Sequence, residues 1–109
     1  MTGTLVLVAT PIGNLGDLSP RAVAELSGAA LICCEDTRRT GKLLIHAGIR
    51  GVRMKRLDDH TERAGIAVVL DKLAAGQRVA LVSDAGTPAI SDPGERLVAA
   101  VVEAGYTVT

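Results

Sequence analysis

The sequence predicts an α/β fold, a mainly parallel twisted sheet of about five strands flanked by helices on both faces. Three observations carry this expectation. Uninterrupted apolar and β-branched runs such as "TLVLVAT" and "RVALVSD" have the pattern of strands covered on both faces, as in parallel sheets. Between such runs lie stretches whose apolar residues recur three and four apart, the spacing of one helix face. The two kinds of segment alternate along the chain at the lengths of strand-helix-strand crossovers.

Each element has its own signals. Thr4 to Thr10 forms the first strand, broken by Pro11, Gly13 and Asn14. Ser19 followed by Pro20 is a helix start, with Ala22, Val23 and Leu26 on one face and Gly28 as the stop. "AALICCED" is the second strand and ends on Glu35 and Asp36. "TRRTGKLLIHAGI" gives a short helix closed by Gly48, and "VRMKRL" a third, shorter strand. Thr61, or Asp59 with Glu62 three residues on, caps a helix carrying Ile66, Val69, Leu70 and Leu73 inward and stopping at Gly76. "RVALVSD" is the fourth strand. Ser91 and Pro93 start the next helix, with Leu97, Val98, Val101 and Val102 facing the core and Gly105 ending it. The final "YTVT" reads as one more strand.

A chain of 109 residues, 48% hydrophobic and 22% charged, has the size and composition of a single globular domain over residues 1–109. Its longest apolar runs are too short to cross a bilayer, and the first ten residues carry no basic segment or cleavage signature, so the expected compartment is the cytoplasm. Cys33 and Cys34 are adjacent within a strand, where neighbouring side chains point to opposite faces. They are expected as two buried thiols and not as a disulfide. Only His46 and His60 are available beside them, so no metal site is expected.

The net charge is zero, yet seven cations, Arg38, Arg39, Lys42, Arg50, Arg53, Lys55 and Arg56, follow one another without an acidic residue among them. Such a run is either a solvated face or a surface for an anionic partner such as RNA, since phosphate contacts need only clustered cations. Tyr106 is the single aromatic residue, which excludes a base-stacking platform in this run.

In parallel sheets ligands bind beyond the carboxyl ends of the strands, and three turn-rich segments fall there: "TPIGNLGD", "EDTRRTGK" and "SDAGTPAISDPG". Glycines permit close backbone approach, prolines hold loop shape, and carboxylates accept hydrogen bonds from hydroxyl or ammonium groups. No phosphate loop of the Gly-x-x-x-x-Gly-Lys-Ser/Thr type is present. The first segment has Gly13 and Gly16 but not Gly-x-Gly-x-x-Gly, and a nucleophile elbow is also lacking.

"ATPIGNLGDLSPRA", "CEDTRRTGKLL" and "VALVSDAGTPAISDPGERLV" resemble the three N-terminal motifs of the ribosomal RNA small subunit methyltransferase I family, within the tetrapyrrole methylase superfamily. The resemblance covers nearly the whole chain. It implies the N-terminal half of a two-domain, dimeric methyltransferase, with the C-terminal domain absent. The implied reaction is S-adenosylmethionine-dependent methylation of a cytidine ribose 2′-hydroxyl in small-subunit rRNA, with the methyl donor held between the domains. Where this family often has His-x-His-Asn-Glu, the chain reads Asp58, Asp59, His60, Thr61, Glu62, replacing the first His and the Asn.

On this resemblance Pro11, Gly13, Asp84, Ala85, Gly86, Thr87 and Pro88 would line the methyl donor, and Arg38, Arg39 and Lys42 would face the RNA. A ribose hydroxyl is a poor nucleophile and must be polarised and aligned with the methyl group; Asp36 or Asp84 is the candidate carboxylate for this. Two other readings stay open: a precorrin-type tetrapyrrole methylase, which would not need the basic run, and a non-catalytic ligand-binding α/β domain.

Overall fold

The computed structural model describes residues 3–10, 18–58, 62–84 and 92–109. Strands β1 (Thr4–Thr10), β2 (Leu31–Cys34), β3 (Met54–Arg56), β4 (Arg78–Asp84) and β5 (Thr107–Val108) alternate with helices α1 (Pro20–Ser27), α2 (Thr37–His46), α3 (Glu62–Ala74) and α4 (Asp92–Glu103). The strands form one sheet in the order β3-β2-β4-β1-β5, and every pairing is parallel. The predicted fold class and strand count therefore hold.

Strand alternation distributes the apolar residues between two cores. Val6, Val8, Ile32 and Ala80 point to one face and pack with Ala22 and Leu26 of α1 and Leu44 of α2. Leu5, Leu31, Cys33, Val79 and Leu81 point to the other, beneath Val69 and Leu73 of α3 and Leu97 and Val101 of α4. This is why β2 and β4 read as apolar runs, covered on both faces along most of their length, whereas on β1 the face of Val6 and Val8 is covered and Leu7 and Ala9 on the other are exposed.

Local chemistry sets the element ends. Ser19 caps α1, its hydroxyl accepting the Ala22 N–H at 3.1 Å, with Pro20 at the first helical position. Gly76, at φ +81°, takes the left-handed conformation that stops α3 and turns the chain into β4. The expected caps Asp59, Thr61 and Ser91 lie outside the described residues.

The structure corrects three details. β2 stops at Cys34, because Asp36 leaves the strand to cap α2. The third strand shrinks to Met54–Arg56, an edge strand paired only with β2. Val102 faces solvent, 59% exposed, and not the core. At about 100° per residue, Leu97 and Val101 share a face with Val98 at its margin, and Val102 falls about 100° beyond Val101.

The order of connection positions the site. From β1 the chain moves outward to β2 and β3 with α1 and α2 on one face, then returns through α3 to place β4 between β1 and β2. Neighbours β1 and β4 are thus followed in the sequence by helices α1 and α4, which lie on opposite faces. In parallel sheets such a reversal of strand order is the switch point at whose carboxyl edge ligands bind.

Candidate functional site

β1 and β4 pair over seven residues, from Thr4 with Arg78 to Thr10 with Asp84. Their last residues stand side by side. Thr10 is buried, and its hydroxyl donates to the Ser83 carbonyl at 3.1 Å, which ties the two strand ends together. Residues 11–17 and 85–91 follow these two adjacent strand ends in the sequence. The sequence-predicted residues Pro11, Gly13, Ala85, Gly86, Thr87 and Pro88 belong to these segments and lie outside the described residues. Asp84 is described as the backbone end of β4, in register with Thr10.

On the other side of β4, β2 ends at the same edge and delivers Glu35 and Asp36. Asp36 caps α2, its Oδ1 accepting the Arg39 N–H at 3.0 Å. That bond, with the Arg38 N–H and both guanidinium groups, holds the Asp36 carboxyl below its ordinary value. Beneath it the strand end is apolar and tightly held. Cys33 and Cys34 are buried and free, as expected, and point to opposite faces. Burial pushes the Cys33 thiol up to about 12. Burial also raises Cys34, against the opposing effect of its hydrogen bond with Thr40 of α2.

The basic run does not form a single patch. α2 returns from the carboxyl edge toward the amino edge, so Arg38 sits at the site and Lys42 about 6 Å further along the same helix face. Arg39 is turned about 100° away from Arg38. Arg53 precedes β3, its carbonyl accepting the Ile32 N–H, and so lies toward the opposite edge with Arg50 before it. Arg56 closes β3 in register with Cys34 and comes back to the site.

Glu35, Asp36, Thr37, Arg38 and Arg56 together line a cavity of about 440 Å³. The place of Arg56 there was not read from the sequence. Its signal was the two-residue alternation of "VRMKRL", which sends Met54 and Arg56 to one face: a Cβ on Gly41 of α2 would stand 3.5 Å from the Met54 Cε, whereas one on Gly65 of α3 would stand 3.5 Å from the Lys55 Cε.

The comparisons with known proteins agree with this architecture. The family model for tetrapyrrole (corrin/porphyrin) methylases matches residues 4–109. The chain is similar to "Ribosomal RNA small subunit methyltransferase I" of Synechocystis sp., 57% identical over 106 residues, 97% of this chain and 38% of that protein. It is similar to the protein of the same name from Escherichia coli O157:H7, at 52% over 97% of this chain and 37% of that one. The chain thus spans under two fifths of the length of these curated relatives. In fold it matches uroporphyrin-III-C-methyltransferase from Thermus thermophilus, with a TM-score of 0.71 at 20% identity over 99% of this chain and 46% of that one. With the family model matching from the first residue of β1 to the last of the chain, and the sheet reproduced in a solved methyltransferase, the chain belongs to the tetrapyrrole (corrin/porphyrin) methylase family.

Proposed function

We propose that this chain is the N-terminal domain of a two-domain, dimeric, cytoplasmic enzyme that transfers a methyl group from S-adenosylmethionine to the 2′-hydroxyl of a cytidine in small-subunit rRNA. The observation that carries the reading is the register of Thr10 with Asp84. It sets the ends of β1 and β4, which the two glycine- and proline-bearing segments follow in the sequence, side by side at the carboxyl edge, where a donor site is expected. The identity to relatives named as rRNA methyltransferases, and the cations on α2, support rRNA over a tetrapyrrole as acceptor.

When bound, the donor supplies a sulfonium methyl group. The ribose oxygen forms a bond to that carbon as the carbon–sulfur bond breaks, and the hydroxyl proton passes to an acceptor. Of the two candidate carboxylates, Asp84 takes the polarising role here. Asp36 is committed to the α2 cap, and its lowered pKa weakens it as a proton acceptor. Arg38, Arg39 and Lys42 attract the rRNA backbone.

The test is incubation of the full-length protein with methyl-labelled S-adenosylmethionine and undermethylated small ribosomal subunits. Label is expected in rRNA, within an alkali-resistant dinucleotide. Labelling of a tetrapyrrole acceptor and not of the subunits would replace this reading by the precorrin-type one. Gly86→Val is expected to abolish transfer with the fold retained, because a side chain there would occupy the space of the donor.

A further inference from the structure

The cavity between the first turn of α2 and the end of β3 combines two guanidinium groups, Arg38 and Arg56, with the carboxylates of Glu35 and Asp36 and the hydroxyl of Thr37. Its volume of about 440 Å³ falls within the ~300–1,000 Å³ of small-molecule sites. Arg38 and Arg56 come from separate elements and are held near each other by the sheet. Arg56 is in register with Cys34, and the Leu57 N–H donates to the Cys34 carbonyl at 2.8 Å. The Arg56 contact with Asp58 is 3.8 Å, longer than a hydrogen bond, and the side chain is 67% exposed, so its planar fork of donors faces water.

This lining selects its occupant. An isolated phosphate would meet two carboxylates, and a simple cation two guanidinium groups. A ribonucleotide within a chain suits both sets, with phosphate oxygens for the arginines and a 2′-hydroxyl proton for Glu35. Lys42, one helical turn beyond Arg38, extends the cationic line and favours a polyanion over a lone zwitterion. The cavity lies one to two strand spacings, about 5–10 Å, from the end of β4.

We infer that this cavity is a ribonucleotide subsite, in which Arg38 and Arg56 grip a backbone phosphate and Glu35 accepts a hydrogen bond from the 2′-hydroxyl, so that it distinguishes RNA from DNA beside the reacting nucleotide. The inference rests on the rRNA-directed reading above.

The test measures binding of a fluorescent oligoribonucleotide and its 2′-deoxy counterpart to the full-length protein and to Arg56→Ala, Arg56→Lys and Glu35→Ala, across a salt series. Arg56→Ala is expected to weaken binding of both strands about tenfold and to lower the salt slope by about one unit. Arg56→Lys keeps the slope but loses part of the affinity, because the bidentate fork is gone. Glu35→Ala is expected to reduce the RNA-to-DNA affinity ratio about fivefold. Affinities, slope and ratio equal to wild type overturn the subsite, as does a wild-type protein that does not bind the oligoribonucleotide. Weaker binding of S-adenosylmethionine by Arg56→Ala, with RNA binding unchanged, assigns the cavity to the donor and also overturns it. If wild type methylates small subunits while these variants bind as wild type does, the subsite alone fails. If wild type transfers no methyl group to subunits, the rRNA-directed reading fails first.

Discussion

Raising the pH should loosen the fold through Cys33. The thiol has no exposed surface, sits beneath α3 and α4, and is raised from 9.0 to about 12 by burial first and the neighbouring Cys34 second, against a smaller opposing pull from Lys55, its register partner on β3. A thiol pKa raised in the native state means that the unfolded chain releases its proton first. The stabilisation is complete below pH 9 and is lost between 9 and about 12 as the unfolded state ionises. At about pH 10.5 the loss is roughly 2 kcal/mol, at about 1.4 kcal/mol per pH unit. Urea unfolding of wild type and Cys33→Ala at about pH 7.5 and 10.5 reads this directly, since the intrinsic cost of the substitution cancels in each variant's own pH difference. Wild type is expected to lose about 2 kcal/mol more than Cys33→Ala. Equal losses in the two proteins would show that the buried thiol is not the group responsible.

Three further outcomes follow from the geometry. Leu97→Ala, fully buried under the sheet, should cost about 2–5 kcal/mol in chemical denaturation, whereas Val102→Ala on the solvent side of the same helix should stay within about 0.5. Gly3→Ala should destabilise by about 3 kcal/mol, because a Cβ there would stand 1.9 Å from the Gln77 carbonyl oxygen and 2.9 Å from the Leu73 Cα, both backbone atoms; an unchanged unfolding midpoint would contradict that contact. Replacing Arg38, Arg39 and Lys42 together by Ala should lower the salt slope of RNA binding by about two to three units with donor affinity nearly unchanged, as measured by titration at several ionic strengths; an unaltered slope would make the cluster a solvated face only.

Much of this was legible in the sequence because it depends on local rules. β1 and β4 were readable to the residue, since each is a run of mostly apolar and β-branched residues bounded by turn-forming residues. Ser19 with Pro20 marked the start of α1 for the same local reason. Strand order was not legible: apolar periodicity says that a segment is covered, not which strand covers it, and nothing in "RVALVSD" announces that it separates β1 from β2. Val102 was misjudged because its four-residue spacing from Val98 is as helical as that of Leu97 from Val101, and only packing decides which pair is central. At the site, Asp36 carries two readings in one residue type, cap and carboxylate, and the structure displays the cap. The run of seven cations from Arg38 to Arg56 looked continuous because sequence spacing ignores the reversal of direction between α2 and β3.

The late insertion of β4 bears on how the protein is made. β1 pairs with β4 and β5, and β2 with β3 and β4, so β1 and β2 never touch in the ladder. Thr4 must wait for Arg78, and Leu31 for Val79. As the chain emerges from the ribosome, the α1 and α2 units have a half-sheet with a missing centre, and their apolar strands stay open until the fourth strand has left the exit tunnel. β2 pairs with β3 as soon as both have emerged, but the two halves are joined only when β4 arrives, and one face stays open until Leu97 and Val101 of α4 follow; the nascent chain is therefore expected to need chaperone shelter until α4 has cleared the tunnel.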